Sequence, residues 1–277
     1  MEYVCVSFKV SPPEPGSEIL SSFLAEENFE SFVHNEQGFE AFIQQPLYDE
    51  TVLQNLSAQF PEIKFTHTVQ NIKQENWNAT WEKSFNPVVI ENYCSIRAPF
   101  HPAATPPLLD IIIEPKMSFG TGHHQTTWLM TKALFENDVK DKSVLDVGCG
   151  TGVLAIVAKK LGASTVVGFD IDEWSIENSR ENRKVNGFSR TDIDFFQGTI
   201  QKIDNQLFDL VLANINKNIL LKEMRNYYDV LNKGGKLFLS GFFELDAADL
   251  IAAAEKTGLH FIKQETKNEW ATLSFVK

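Results

Sequence analysis

The stretch Ser143–Gly152 reads Ser-Val-Leu-Asp-Val-Gly-Cys-Gly-Thr-Gly, and it decides the fold. Its first half is a short run of valine and leucine, typical of a buried parallel strand, and three alternate glycines follow at once. From Val153 onward, apolar residues recur at helical spacing until Gly162, where a glycine commonly ends a helix. We therefore predict a strand, a glycine turn and a helix, with a backbone that can approach a ligand at the helix N-terminus.

The next predicted strand, residues 165–169, ends in Asp170, twenty residues after Gly150. In a Rossmann-type sheet the carboxylate at this position accepts hydrogen bonds from ribose hydroxyls. The glycine spacing Gly-x-Gly-x-Gly differs from the dinucleotide pattern Gly-x-Gly-x-x-Gly. The turn also lacks basic residues and the Walker-type Gly-Lys-Ser/Thr ending. We therefore expect a nucleoside ligand, and a phosphate-rich ligand fits poorly.

Composition limits the classes of function. The chain has 277 residues, 43% hydrophobic and 22% charged, which is ordinary for a soluble globular protein of two domains. Its formal net charge of −12 argues against nucleic acid as the main partner and favours a basic one. The three cysteines show no Cys-x-x-Cys spacing, so neither a disulfide framework nor a zinc cluster is indicated. No segment resembles a signal peptide or a membrane span, so we expect a cytoplasmic protein.

Residues 1–72 predict a small α+β domain. A strand over residues 2–10 is followed by a helix that starts near Ser17, then by two phenylalanine-rich strands. A second helix near residues 50–60 and a strand at 63–69 complete the order β-α-β-β-α-β, which is the ferredoxin-like pattern. The pattern leaves open whether this domain recognises a partner or is a plain α+β domain without binding duties.

Residues 73–86 lie between two domain patterns and carry Trp77 and Trp81 at i and i+4. This spacing places both indoles on one helical face, so we predict a linker helix that packs on one or both domains. A larger domain, residues 87–277, follows the linker. Apolar and polar residues alternate over residues 88–98, which predicts one strand at the start of this larger domain.

Residues 115–127 read Pro-Lys-Met-Ser-Phe-Gly-Thr-Gly-His-His-Gln-Thr-Thr and predict a loop that folds over a ligand. In this interpretation Phe119 covers the ligand and Thr127 hydrogen-bonds to it. The alternative is a flexible glycine loop of no function. His123 and His124 suggest a metal, but adjacent residues point apart on a helix or a strand. No third ligand lies at zinc-site spacing, so we expect no metal site.

A later strand, residues 208–213, leads into Asn214. Ligands bind at the carboxyl ends of strands in doubly wound sheets, so we expect Asn214 to lie level with Gly148 and Asp170. An amide oxygen there can hold a nucleophile, although asparagine is also a common turn residue. Two strands close the chain, and the whole pattern predicts six parallel-type strands with a C-terminal antiparallel insertion.

The run Leu-Asp-Val-Gly-Cys-Gly-Thr-Gly, followed by Gly-Phe-Asp-Ile-Asp, resembles the adenosine-binding half of the class I S-adenosylmethionine-dependent methyltransferases. Together with the loop at residues 119–127 and Ala213-Asn214-Ile215, the chain resembles the ribosomal protein L11 methyltransferase family (PrmA). The resemblance covers most of residues 110–277, includes the Trp-rich linker and is only architectural over residues 1–70. It implies an α/β fold with a Rossmann-like seven-stranded sheet, preceded by a small ferredoxin-like α+β domain.

The same resemblance implies S-adenosylmethionine as methyl donor and lysine side-chain amines of ribosomal protein L11 as acceptors, with N-terminal amines as further candidates. The small domain would recognise the ribosomal protein, and the linker would let that domain swing. We expect a monomer, and we assign Asn214 a positioning role beside the amine. The implied cofactor contacts are Phe119, Thr127, Gly148, Gly150, Asp170 and Asn214.

Two departures from the family pattern concern the acceptor. The family usually has Thr and Pro where this chain has His123 or His124 and Gln125, and Leu-Ala-Gly-Pro where it has Asn216-Lys217-Asn218-Ile219. The second lies beside the substrate amine, so the identity and number of methylated positions stay open.

Two rival functions also stay open. One is a methyltransferase for another protein or for a nucleic-acid amine, although those acting on bases place Pro-Pro-aromatic after the asparagine, and this chain has neither proline nor ring there. The other is a non-catalytic S-adenosylmethionine-binding protein.

Overall fold

The computed structural model describes residues 2–72, 82, 84–106 and 108–277, and it divides the chain into two compact units, residues 1–84 and 85–277. Most of the predicted linker helix, residues 73–86, lies outside the described residues. In the described part of the chain, no helix combines the length and the apolar character that a membrane span requires.

The N-terminal unit is built around one antiparallel sheet with the strand order β2-β3-β1-β4. Alternate residues of β1, among them Val4, Val6 and Phe8, are buried against the two helices, as the period of a half-buried strand requires. The predicted ferredoxin-like order is confirmed. Its elements are β1 Tyr3–Ser11, α1 Pro13–Glu26, β2 Ser31–Asn35, β3 Gly38–Gln44, α2 Glu50–Gln59 and β4 Lys64–Ile72.

The start of α1 differs from the prediction. The element α1 spans Pro13–Glu26, but Glu14 has a non-helical backbone (φ −116°, ψ 135°), so the regular helix starts at Pro15, and Ser17 lies inside it as a buried residue. Proline favours the first turn of a helix because its φ is already helical and its missing N–H has no partner to lose there.

The larger unit, residues 85–277, contains the remaining elements. They are β5 Val88–Ile90, β6 Cys94–Arg97, β7 Leu109–Ile112, α3 Gln125–Phe135, β8 Ser143–Val147, α4 Val153–Lys160, β9 Thr165–Asp170, α5 Glu173–Val185, β10 Ile193–Gln197, β11 Phe208–Asn214, α6 Lys217–Asp229, β12 Leu231–Phe243, α7 Ala247–Thr257, β13 His260–Lys267 and β14 Trp270–Val276.

Seven of these strands form the main sheet, in the order β10-β9-β8-β11-β12-β14-β13. Strands β10, β9, β8, β11 and β12 pair in parallel, and β14 is antiparallel to both of its neighbours. The predicted Rossmann-like seven-stranded sheet with an antiparallel insertion is confirmed. The chain order reverses between β8 and β11, so a crevice for ligands is expected above their carboxyl ends.

The single strand expected over residues 88–98 is wrong. Strands β5 and β6 form an antiparallel hairpin instead, because the chain turns at Glu91, whose φ is +45°. This hairpin and β7 make a separate three-stranded sheet. The alternation of apolar residues is genuine, but it continues across the turn at residues 91–93, where Asn92 is the one common turn residue.

Candidate active site

A cavity of about 780 Å³ opens at the carboxyl ends of β8, β9 and β11, within residues 85–277. This volume is in the range of ordinary small-molecule sites. Its walls come from the glycine turn after β8, the acidic end of β9, the segment after β11 and one face of α6. The loop before α3 also contributes, through Lys116, Met117, Ser118 and Phe119.

The glycine turn is locked to the loop before α3. The backbone N–H of Thr151 donates to the carbonyl of Phe119 at 2.9 Å, and the Thr151 hydroxyl donates to the carbonyl of Gly120 at 2.7 Å. Gly150 has a φ of +53°, and a Cβ at that position would lie 2.3 Å from the Phe119 carbonyl oxygen. Only glycine therefore allows the turn and the loop to pack this closely.

Asp170 joins the end of β9 to the same turn. Its Oδ2 accepts a hydrogen bond from the N–H of Gly150 at 2.9 Å, and its Oδ1 accepts one from the N–H of Asp172 at 3.1 Å. The carboxylate also lines the cavity. Since a carboxylate can accept several hydrogen bonds, Asp170 can hold the turn and still accept from a ligand hydroxyl.

A second acid, Asp146, lies behind the turn. It is 1% exposed and accepts a hydrogen bond from the N–H of Ala155, in the first turn of α4, at 3.1 Å. Burial, with a smaller contribution from the charge of Asp170, raises the pKa of this carboxyl to about 7, against the hydrogen bond from Ala155. Asp146 therefore supports the turn from inside the core and does not line the cavity.

Asn214 ends β11 opposite the glycine turn and lines the cavity. Its Oδ1 is buried and has no hydrogen-bond partner among the described residues. The next residue, Ile215, is held from both sides. Its N–H donates to the Ser240 carbonyl at 3.1 Å, and its Cγ2 lies 2.5 Å from where a Cβ on Gly148 would be. The backbone after Asn214 is thus held at the cavity, and the Asn214 amide oxygen is available to accept from a ligand.

Five of the six residues predicted for the site line one cavity: Phe119, Gly148, Gly150, Asp170 and Asn214.

Thr127 is the exception, because it lies fully buried in α3 and is not among the residues that line the cavity. Its Oγ1 has no hydrogen-bond partner among the described residues.

The two histidines of the loop have local partners. His124 is the N-cap of α3, where its ring accepts from the N–H of Thr126 at 3.3 Å, and His123 Nε2 lies 2.9 Å from the Asn86 carbonyl oxygen. Among the described residues, no group of three or more histidine, cysteine, aspartate and glutamate side chains is arranged to hold a metal ion.

Sequence reasoning missed the contribution of α6. Ile219, Glu223 and Tyr227 all line the cavity, at the spacing i, i+4 and i+8 that places them on one helical face. The spacing was a usable signal, but a helix with a mixed face looks like any surface helix until its neighbours are known. Trp174, exposed at the mouth, was missed as well.

Comparison with known proteins gives the family. The model of the family described as ribosomal protein L11 methyltransferase (PrmA) matches residues 15–277. The chain belongs to the ribosomal protein L11 methyltransferase family. A relative of that name from Bacteroides thetaiotaomicron is 42% identical over 280 residues, which covers 99% of each chain. One from Porphyromonas gingivalis is 41% identical over 284 residues, covering 99% of this chain and 98% of the relative.

A solved structure supports the assignment. The ribosomal protein L11 methylase of Lactobacillus delbrueckii is 29% identical, with a TM-score of 0.62, over 69% of this chain and 97% of the other. A methyltransferase from Pyrococcus furiosus, 21% identical with a TM-score of 0.51, shares the fold. The protein is therefore an S-adenosylmethionine-dependent methyltransferase of class I, as its sequence pattern predicts.

The cavity fits this cofactor. Carbon atoms on Gly148 and Gly150 would collide with Ile215 and Phe119, so the turn presents bare backbone. Asp170 offers a carboxylate to hydroxyl groups, and Asn214 offers a buried oxygen that has no hydrogen-bond partner in the described part of the chain. A nucleoside with a polar amino-acid tail and few negative charges needs such a mixture of close backbone and isolated acceptors.

Proposed function

We propose that the protein transfers methyl groups from S-adenosylmethionine to lysine side-chain amines of ribosomal protein L11, with N-terminal amines as further acceptors. One observation carries the proposal beyond family membership. The bare glycine turn, the Asp170 carboxylate and the Asn214 oxygen, which has no partner among the residues that the structure describes, line one cavity at the carboxyl ends of three neighbouring strands.

Within this cavity we assign the cofactor to the glycine turn and β9. Gly148 and Gly150 hold its methionine part, Asp170 accepts from the ribose hydroxyls, and Phe119 covers it. Thr127 remains a predicted contact by family resemblance alone, since its hydroxyl does not line the cavity. When bound, the cofactor supplies a methyl group on a positively charged sulfur, which is an electrophile and a good leaving group.

The acceptor amine must be neutral to react, although a free lysine has a pKa near 10.4. A nearby positive charge and partial desolvation both favour the neutral form. Asn214 Oδ1 then accepts an N–H of the amine and aims its lone pair at the methyl carbon. The bound cofactor would give up its methyl group to the amine nitrogen and keep the C–S bonding pair on sulfur, and the proton lost when the ammonium becomes neutral would leave to solvent. Asn214 acts by positioning rather than as a base, because an amide does not take up the proton.

The N-terminal unit is proposed to recognise ribosomal protein L11. Its ferredoxin-like order is common among recognition modules, and the net charge of −12 suits a basic partner. We propose further that the protein acts as a monomer in the cytoplasm, where ribosomal proteins are available, and that it does not bind nucleic acid directly.

The test is incubation of the purified protein with labelled S-adenosylmethionine and ribosomal protein L11, followed by intact-mass analysis. Mass steps of one methyl on ribosomal protein L11 are expected, and peptide mapping then identifies the amines. Label on another protein or on RNA, with none on ribosomal protein L11, would overturn the substrate. Cofactor binding without any acceptor in a cell extract would support a non-catalytic protein.

A further inference from the structure

A second cavity, of about 460 Å³, lies within the N-terminal unit, between the start of α1 and the turn that joins β2 to β3. We term it the acidic cavity. Glu14 and Ser17 line it from α1, and His34, Asn35 and Glu36 line it from the turn. All of its lining residues belong to the unit of residues 1–84, whereas residues 85–277 line the larger cavity. The proposed methyl transfer uses none of them.

Ser17 provides this cavity with a polar atom that the folded chain does not use. The residue is 3% exposed, and its Oγ has no hydrogen-bond partner among the residues that the structure describes. Ser21, one turn later, by contrast donates to the Glu18 carbonyl oxygen at 3.2 Å. Because buried polar groups nearly always have a partner, the Ser17 hydroxyl at the cavity wall indicates a polar ligand group.

The charges at the acidic cavity are negative. Glu14 and Glu36 are exposed at its edge, one from the start of α1 and the other from the β2–β3 turn, and the imidazole of His34 is the third titratable group. Among the described residues that line this cavity, none is lysine or arginine. Two carboxylates that line one space repel each other and together attract a positive charge.

Contacts within the unit hold the β2–β3 turn in a fixed position. The N–H of Val10 donates to the Gln37 carbonyl at 2.9 Å, and the N–H of Gln37 donates to Asn35 Oδ1 at 2.9 Å. The ring of His34 stacks on that of Phe39, with centroids 5.6 Å apart. The acidic cavity therefore has an ordered wall, and a ligand does not have to order the turn when it binds.

We propose that the acidic cavity receives a lysine or arginine side chain of ribosomal protein L11. The charged end of that side chain lies between the Glu14 and Glu36 carboxylates, which accept its N–H groups. It donates one further hydrogen bond to Ser17 Oγ. This assignment rests on the proposed function, because ribosomal protein L11 is the partner proposed for the N-terminal unit.

The charges argue against the other ligands that the start of a helix can take. A phosphate or a carboxylate binds well at a helix N-terminus, but here the carboxylates of Glu14 and Glu36 would repel it. An uncharged ligand would leave both acids without a group of opposite charge. A basic side chain satisfies the two acids and the Ser17 hydroxyl together. The formal net charge of −12 also attracts a basic protein before it docks.

The experiment measures two quantities on the full chain: the dissociation constant of unmodified ribosomal protein L11, by calorimetry, and its methylation rate at saturation. Glu14→Gln and Glu36→Gln should each weaken binding about 2- to 5-fold, and the double variant about tenfold. Ser17→Ala should weaken binding by a similar factor, since the basic group loses one acceptor. The rate at saturation and the binding of S-adenosylhomocysteine should not change, because the other unit lines the larger cavity.

Two variants of α1 serve as matched controls. Glu26→Gln removes the same charge at the far end of the helix, and Ser21→Ala removes a hydroxyl that bonds to Glu18 instead of lining the cavity. Both should keep the wild-type dissociation constant. Ser17→Ala should melt at a higher temperature than Ser21→Ala, because only the second loses a hydrogen bond in the described structure.

A charge swap tests the pairing directly. Glu36→Lys should weaken binding of ribosomal protein L11 more than about tenfold, because it places a like charge against the basic side chain. One Lys→Glu or Arg→Glu change in ribosomal protein L11 should then restore binding, and it identifies the basic residue and whether that residue is a lysine or an arginine.

The outcomes separate this assignment from the proposed function. If the double variant binds ribosomal protein L11 no more weakly than Glu26→Gln does, the acidic cavity is overturned as a docking site while methyl transfer stands. If no single basic position of ribosomal protein L11 restores the binding of Glu36→Lys, the pairing is wrong. If wild type neither binds nor methylates ribosomal protein L11, the proposed function fails, and this assignment fails with it.

Discussion

The two sides of the cavity use their polar groups in opposite ways. One side, which we term the glycine wall, comprises residues 148–151 and Asp170, and Asp146 supports it from inside the core. Its groups bond within the protein: Asp170 accepts from Gly150, Asp146 accepts from the start of α4, and Thr151 ties the turn to the loop before α3. This wall is already organised before any ligand arrives.

The other side, which we term the β11–α6 wall, comprises Asn214, Ile219, Glu223 and Tyr227. Two of its polar atoms, the Asn214 Oδ1 and the Tyr227 hydroxyl, are buried without a partner among the described residues. Burying such a group without a hydrogen bond costs on the order of 1–3 kcal/mol. The folded protein without ligand carries this unfavourable free energy. A ligand that hydrogen-bonds to these atoms can remove it.

The comparison separates two kinds of substitution. A change in the glycine wall should alter shape and stability first and binding as a consequence. A change in the β11–α6 wall should alter binding or rate while stability stays the same. The predictions below test this division, beginning with the largest effect.

The largest effect is expected for Gly150→Ala. The new Cβ would lie 2.3 Å from the Phe119 carbonyl oxygen, and the backbone at this residue has a φ of +53°. The collision and the unfavourable backbone conformation therefore both destabilise the folded state. We expect a loss of about 3–5 kcal/mol of unfolding free energy, from the left-handed conformation and the overpacking together, and no measurable binding of S-adenosylhomocysteine. Chemical denaturation and calorimetry measure the two effects.

Gly187→Ala is the matched control for the collision. Gly187 also has a left-handed backbone, with a φ of +82°, but nothing lies within 4 Å of the Cβ position. It should lose only about 1 kcal/mol and keep normal ligand binding. Equal losses in the two variants would show that the Phe119 loop yields easily, and the glycine wall would then not be rigid.

The second effect concerns pH and Asp146. Its pKa is about 7 in the folded protein and close to 3.8 in an unfolded chain, so the folded state holds the proton more tightly. Between about pH 4 and pH 7 the unfolded state loses this proton first, and stability falls as pH rises. Asp146→Asn should remove this slope, a difference of about 2–4 kcal/mol between wild type and variant across that interval.

Asp209→Asn should show the opposite sign. Hydrogen bonds from Ser143 and Asn232 hold the pKa of Asp209 below its usual value, against the effect of its burial. Its contribution to stability is present above the unfolded pKa and is lost as pH falls through the folded one. Denaturation curves at a series of pH values measure both variants. The same slope in wild type and Asp146→Asn would contradict a raised pKa for Asp146.

The glycine wall and Asn214 could be predicted from the sequence, and the part of the β11–α6 wall that α6 provides could not. Left-handed backbone positions need glycine, and a strand that ends in aspartate at the right distance predicts Asp170. The strand end at Asn214 was predicted by the same rule for doubly wound sheets. Sequence periodicity also predicted the order of elements in both units, apart from the hairpin of β5 and β6.

The remaining positions depend on how helices rotate against the sheet. The contact at Thr127 stays a prediction, because α3 buries that residue and it is not among those that line the cavity. Tyr227 and Glu223 lie far from any motif, and their spacing is that of an ordinary amphipathic helix. The turn at Glu91 was missed because apolar residues alternate across it, although Asn92 is a common turn residue, and glutamate is not a residue from which a positive φ is expected.

The smallest expected effect tests the β11–α6 wall through Asn214→Ala. Loss of the amide removes an acceptor that the folded protein does not use, so the melting temperature should change little. The methylation rate of ribosomal protein L11 at saturating cofactor should fall about 100-fold, or about 2.7 kcal/mol in the barrier, as for loss of one positioned polar group. Cofactor affinity should weaken less than about tenfold, which a single-turnover assay separates from the rate.

Asn214→Asp sharpens this last test, because it keeps an oxygen in place and adds a negative charge. A carboxylate beside the amine stabilises the ammonium and raises its pKa, so less of the reactive neutral form is present at neutral pH. The rate of this variant should therefore be low near pH 7 and recover toward the wild-type rate as pH rises. Such a profile is expected of a group that touches the amine. If both variants methylated at the wild-type rate, the Asn214 oxygen would contact neither the cofactor nor the acceptor. The proposed difference between the two walls would then be wrong at Asn214.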